Sequence, residues 1–211
     1  MNVAKLQPQR PPHDAAAMPT DLAGLEAWFD QRLDEKLAER EAAHIPSLAI
    51  IATKGTMDMA YPPFILASTA AALGWEASIF FTFYGLELVK KDLAIKVSPL
   101  GNPAMPMKMP FGPEWLKRID MPIPNALASN LPGFERFATS MMQQTVKTKG
   151  VPSIKELRDI CVESGVRLVA CQMTVDLFNF RKDEFIPEIA EWIGATSYLA
   201  EAKKADVCLF I

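Results

Sequence analysis

The chain has 211 residues, half of them hydrophobic, and a formal net charge of −3. That is enough for one globular domain of ordinary size with some decoration, and it lacks the basic footprint that nucleic acid requires. Three cysteines with no CxxC pair argue against a disulfide framework and for a reducing, cytoplasmic setting.

Histidine usage narrows the chemistry. The only two, His13 and His44, precede the first predicted strand, so a Ser-His-Asp or Cys-His site in the core lacks its usual base. Cys161, Cys171 and Cys208 do not have metal-ligand spacing, and neither a metal nor another cofactor is expected. MNVAKLQPQRPPHD carries no apolar core of the kind a secretory signal needs.

Residues 1–18 are polar, proline-containing and without periodicity, and are expected to be disordered. Over 19–44, Leu22, Leu25, Phe29, Leu33 and Leu37 recur at helical spacing behind Thr20 or Asp21 as an N-cap. This amphipathic helix either docks on its own domain or pairs with a second subunit. The main domain, 45–211, opens with SLAIIAT, an apolar β-rich run, and continues into a helix expected from about Pro62 to Leu73 with proline in its first turn. The strand ASIFFTF follows. Phe64 to Val89 has the length of a membrane span, but Gly74-Trp75-Glu76 divides it into an Ala-rich helical half and an aromatic, strand-like half. A buried helix and a buried strand account for both, and membrane association is not favoured.

From 98 to 150 the composition changes. Eight of the 17 prolines lie between Pro99 and Pro132, and six of the 11 methionines between Met105 and Met142. Proline excludes long helices and central strands there, although GFERFATSMMQQTVK suits a short helix. So apolar a segment reads as an insertion that packs over the sheet or against a neighbouring subunit. Alternation then resumes: the helix IKELRDICVESG behind Ser153, the strand VRLVAC, the short helix QMTVDLFNF, a brief strand near Trp192 and Ile193, the helix TSYLAEAKKA, and the strand DVCLFI. The pattern is one of βαβ units. It predicts a three-layer α/β/α sandwich around an open parallel sheet of about five strands.

In such sheets sites form beyond the carboxyl ends of the strands. Cys171 falls at such an end, directly before a predicted helix, where unpaired amides favour a thiolate or a persulfide. Thiol exchange with an activated sulfur donor needs no general base, which suits a chain with almost no histidine. Against this, most free cysteines are small buried hydrophobes. Cys161, near the end of the preceding helix, belongs toward the opposite edge of the sheet, beyond disulfide reach of Cys171. Cys208, in the last apolar run, is expected to be core packing.

GVRLVACQMTVDLFNF and GATSYLAEAKKADVCLFI, together with IATKGTMDMAYPPFILASTAAALGWEASIFFTFYGL, GNPAMPMKMP, MMQQ and GVPSIKELRD, closely resemble the DsrE/DsrF-like sulfurtransferase and sulfur-carrier superfamily, in its larger, insertion-bearing subgroup. The likeness spans roughly residues 46–211. It implies the α/β/α sandwich, a homo-oligomer, and a cysteine matching Cys171 that holds sulfane sulfur as persulfide or thiosulfonate. It further implies a TusA-like carrier and a rhodanese-like donor as partners, in a stoichiometric relay rather than multiple-turnover catalysis. Cys161 matches the second cysteine of some relatives, which leaves it an accessory or resolving role.

Two other readings compete. The loop ATKGTMD, with Thr53, Lys54, Gly55 and Thr56, invites comparison with phosphate-binding turns of flavodoxin-like nucleotide or flavin modules, although it matches neither GxGxxG nor a Walker sequence. A plain strand-to-helix turn is the favoured explanation, because such turns occur in every fold of this type. On the sulfur reading, Lys54 helps hold an anionic donor, and Tyr84, Gly85, Gln172, Met173, Thr174 and Gly194 line the same edge. A non-catalytic oligomeric scaffold is the third reading.

Overall fold

A computed structural model describes residues 19–98, 112–118 and 132–211. The chain divides into two compact units, Met1–His44 and Ile45–Ile211. In the first, α1 runs from Leu22 to Ala42 behind Asp21, whose carboxylate accepts from the Gly24 N–H at 3.0 Å. None of the residues of α1 is buried, and exposed pairs such as Arg32–Glu35 line its surface.

The second unit carries β1 (Ser47–Ala52), α2 (Met57–Ala72), β2 (Glu76–Phe81), a 3-10 helix (Phe83–Val89), α3 (Glu114–Lys117), α4 (Phe134–Thr148), α5 (Ile154–Glu163), β3 (Arg167–Cys171), α6 (Gln172–Leu177), β4 (Glu191–Ile193), α7 (Ala195–Ala202) and β5 (Val207–Phe210). The five strands form one sheet in the order β4-β3-β2-β1-β5, and every pairing is parallel. Strands buried on both faces need apolar residues at successive positions, as the runs around Ile50, Ile79 and Val169 supply.

Successive side chains point to opposite faces, so each strand feeds two cores. Ile50, Ile79, Phe81, Leu168 and Ala170 join Phe64 of α2 and Leu157 of α5 in the larger one. Ala49, Phe80, Val169 and Cys171 face the other way, under Tyr198 and Ala202 of α7. This is the expected three-layer sandwich. Arg167 clamps the start of β3 to its surroundings, pairing with Glu191 on β4 at 2.9 Å and with Glu201 on α7.

Three local expectations give way. α2 begins at Met57, behind Thr56, and takes Pro62-Pro63 into its interior. The two lost N–H donors are tolerated because Met57, Ala60, Tyr61, Pro63 and Phe64 are buried together, and packing overrides propensity. β2 stops at Phe81 instead of running to Phe83, whose φ of +48° takes the chain out of extended geometry. Cys208 is exposed rather than core. It pairs with Ala49 on the α7 side of the edge strand β5, where nothing among the described residues buries it.

Phe64–Val89 is the end of α2, β2 and the 3-10 helix, and among the described residues no helix is long and apolar enough to cross a membrane. Of the Met/Pro-rich segment, α4 packs Met142 and Val146 against the larger core. The expectations for residues 1–18, and for most of the proline-rich part of the insertion, fall outside the described residues.

Candidate functional site

The carboxyl edge of the sheet gathers the ends of β1 to β4. Cys171 is the last residue of β3 and occupies the N-cap position of α6, with φ −75° and ψ 107°. It pairs in register with Ile193 of β4. Its side chain is fully buried in the smaller core, beside Phe80, Val169, Tyr198 and the partly buried Ile193. Among the described residues nothing donates a hydrogen bond to its sulfur or accepts one from it. α6 has only six residues, so the dipole at its N-terminus is weak.

α6 is tied to the preceding strand end. The Phe83 N–H donates to Thr174 Oγ1 at 3.3 Å, and the hydroxyls of Thr82 and Thr174 share a hydrogen bond of 3.2 Å. Thr174 is itself fully buried. Gln172 bonds Asp176 one turn on, at 2.7 Å, while Met173 is exposed. Tyr84 is exposed and stacks on Phe178 with centroids 6.0 Å apart. Gly194 follows β4 and caps α7 through its backbone.

The β1 loop shares the edge but not the neighbourhood of the sulfur. β2 lies between β1 and β3, which at about 4.8 Å per strand leaves roughly 10 Å in the sheet direction between Cys171 and the end of β1. Thr53 donates through both its N–H and its hydroxyl to the Ile211 carbonyl. Lys54 is exposed, and Thr56 makes no side-chain cap. The two glycines answer each other: a Cβ on Gly55 would stand 2.3 Å from the Tyr84 carbonyl oxygen, and one on Gly85 2.1 Å from that of Ala52. The room they leave is filled by the chain's own backbone. The physical argument for a phosphate-binding turn at Gly55 is thereby spent on close packing.

Cys161 belongs elsewhere. It lies in the last turn of α5, fully buried in the larger core, and its thiol donates to the Phe64 carbonyl oxygen at 3.4 Å. Burial pushes its pKa up to about 11. Sequence reasoning passed over Thr82, Phe83 and Tyr198. Tyr198 stacks on Phe80 at 4.5 Å and hydrogen-bonds Ser78 and the Ile50 carbonyl oxygen, and it packs in the same cluster as Cys171 from the α7 side. A tyrosine one turn into the helix after Gly194 was the available signal; a positive φ at a phenylalanine has none.

Residues 44–210 match the family model described as DsrE/DsrF/DrsH-like. Over 164 residues the chain is 54% identical to the sulfur carrier protein DsrE2 of Allochromatium vinosum, covering 78% of this chain and 97% of that protein. Over 162 residues it is 29% identical to the uncharacterized protein YrkE of Bacillus subtilis, covering 77% and 94%. With a parallel α/β/α sheet and a family match over most of its length, the chain belongs to the DsrE/DsrF/DrsH-like family.

Proposed function

We propose that this protein is a sulfur carrier and that Cys171 holds the sulfur. The observation that carries the reading is the place of Cys171: the last residue of β3, at the carboxyl edge of the sheet, in a chain 54% identical to a sulfur carrier protein. The cargo is a persulfide or a thiosulfonate. For the persulfide, the Cys171 thiolate attacks the outer sulfur of a donor persulfide R–S–SH. One S–S bond forms, the donor's S–S bond breaks, and the electron pair leaves with the donor thiolate R–S⁻. An acceptor thiolate reverses the step, so the relay needs neither an external oxidant nor a histidine base. A TusA-like acceptor and a rhodanese-like donor are the partner classes, and a reducing cytoplasm keeps the three thiols free.

Burial shapes the reaction. Cys171 has no exposed surface, so a partner reaches it only when α6 or the turn at Gly194 is displaced. Once loaded, the sulfur is shielded from water and from stray thiols. Tyr84 and Met173, both exposed beyond the carboxyl ends of β2 and β3, supply apolar surface for the partner, and a homo-oligomer would cover the exposed flank of β5. Lys54 is the nearest β1-loop cation for an anionic donor, and Cys161, across the sheet, has no part in the relay.

The test is intact mass spectrometry of reduced protein incubated with polysulfide, in a Cys208→Ser background because Cys208 is exposed. An adduct of whole sulfur atoms is expected, absent after Cys171→Ser. Equal adducts with and without Cys171, or none in either, would sink the assignment.

A further inference from the structure

On the face of the sheet opposite Cys171 there is a cavity of about 480 Å³, within the roughly 300–1,000 Å³ of ordinary small-molecule sites. Its walls are Met57 and Tyr61 of α2, Ile95, Val146 of α4, Val151 and Ile154 of α5. Met57 and Tyr61 stand one turn apart and present the same face of α2, as Gln143 and Val146 do on α4. The floor is part of the larger core, since Met57, Tyr61 and Ile154 are buried there. No residue of this lining belongs to the smaller core that holds Cys171.

Tyr61 makes this more than a gap in packing. It is nine-tenths buried, yet its hydroxyl has no hydrogen-bond partner among the described residues. The hydroxyl is also not among the fully enclosed side-chain atoms left without a partner, so it keeps open surface, and the open space beside Tyr61 is the cavity. A phenol whose hydroxyl opens onto an apolar cavity leaves a hydrogen-bond donor for whatever occupies that cavity. Tyr198, the other deeply buried tyrosine, has both Ser78 and the Ile50 carbonyl for that purpose.

The charges around the cavity choose the acceptor. Burial and the nearby Glu156 carboxylate raise the Tyr61 pKa, so the group is a neutral donor at physiological pH. Glu156 is fixed at the cavity by the capping box of α5, where it accepts from the Ser153 N–H at 2.7 Å, and its charge repels a second carboxylate placed against Tyr61. Lys155 does not offset this, because it is exposed and paired with Asp159 at 2.8 Å. Lys147 and Glu156 are both exposed at the rim, where water screens their charges; of the two, only Glu156 acts on Tyr61.

We propose that this cavity binds a small, largely apolar molecule bearing a neutral carbonyl oxygen, with the Tyr61 hydroxyl donating to that oxygen and the walls of α2, α4 and α5 enclosing the apolar part. The site lies on the other side of the sheet from the sulfur-carrying cysteine, and it stands or falls independently of the carrier reading.

The probes are 2-nonanone and nonanoate, titrated into the full chain and followed by saturation-transfer NMR. Saturable binding of 2-nonanone is expected, weaker by about fivefold to tenfold in Tyr61→Phe, the loss of one hydrogen bond to a neutral acceptor. Val146→Trp, which fills the cavity from a partly buried wall position and leaves the phenol in place, is expected to abolish it. Far-UV circular dichroism confirms that both variants are folded. Binding in Cys171→Ser is expected to be unchanged. The proposal is overturned if 2-nonanone shows no saturable binding, if Tyr61→Phe and Val146→Trp both bind like the wild type, or if nonanoate binds more tightly than the ketone.

Discussion

Each face of the sheet buries one cysteine completely, and the two sulfurs have little else in common. Cys161 sits among the large side chains of α2, α5 and three strands, donates a hydrogen bond to the Phe64 carbonyl, and is held as a thiol with a pKa of about 11. Cys171 sits in a small cluster beneath α7, without a hydrogen bond among the described residues, at the point where a strand becomes a six-residue helix. Exposure therefore does not separate Cys161 from the cysteine proposed to carry sulfur. What separates them is how much must move to uncover each: a core layer in one case, and a short helix or a turn in the other.

The sharpest break between the faces is chemical. In a Cys208→Ser background, Cys161→Ala should keep the full sulfur adduct that Cys171→Ser loses entirely, read by intact mass. A loss in Cys161→Ala, with the fold intact by circular dichroism, would make the sulfur site span both faces. The mechanical counterpart follows. Phe64, wholly buried and 5.9 Å from Phe81, should lose about 3–5 kcal/mol on truncation to alanine. Tyr198→Phe, which gives up only hydroxyl bonds to Ser78 and the Ile50 carbonyl, should lose about 1 kcal/mol. Urea midpoints measure both, and equal losses would mean that the thin face is as tightly built as the thick one.

Alkaline pH tests Cys161 by comparison with its alanine variant. Its folded pKa of about 11 lies above the ordinary value of 9.0, so the neutral thiol is favoured in the fold. That contribution is fully present below pH 9. Above it the unfolded chain ionises first, and stability is lost as pH rises toward 11, by about 3 kcal/mol in all. Tyr61 and Tyr198, also raised, add alkaline losses of their own. The measurement is therefore the difference between wild type and Cys161→Ala in denaturation at pH 8 and at pH 11. The gap in stability should close as pH rises, and a constant gap would remove the special environment assigned to this thiol.

How much of this was legible depends on the range of the interactions involved. The βαβ alternation and the place of Cys171 at a strand end could be read locally, because continuous apolar runs such as VRLVAC mark buried parallel strands. That Val169 and Cys171 face one way and Leu168 and Ala170 the other also follows from the strand period. Which face would be thin did not, because that depends on the crossover that carries the chain from β4 to β5 on the far side of β1. The same topology explains Cys208: DVCLFI reads as buried on both faces, but β5 is an edge strand whose α7-side residues, Cys208 and Phe210, are left exposed. Gly55 suggested a ligand because close backbone approach looks alike in sequence whether the visitor is a phosphate or the Tyr84 carbonyl. Met57 as the start of α2 was hidden behind two prolines, whose local preference lost to burial.

The smallest expected effect says how Cys171 is reached. Thr174→Val keeps the shape of the side chain but removes the acceptor of the Phe83 N–H and the partner of the Thr82 hydroxyl, a loss of about 1 kcal/mol. Global unfolding breaks these bonds, so labelling of Cys161 by a thiol reagent, which requires unfolding, should speed up about fivefold. If Cys171 is uncovered by movement of α6, the same bonds break in that local opening and its labelling rises by the same factor. If Cys171 is uncovered through the Gly194 turn, with α6 in place, only Cys161 accelerates. Peptide-resolved mass spectrometry of a labelling time course distinguishes the two. The ties of α6 to Thr82 and Phe83, with the strained backbone of Phe83 among them, favour the first result, because they are few enough to yield to a docking partner and numerous enough to keep the sulfur covered without one.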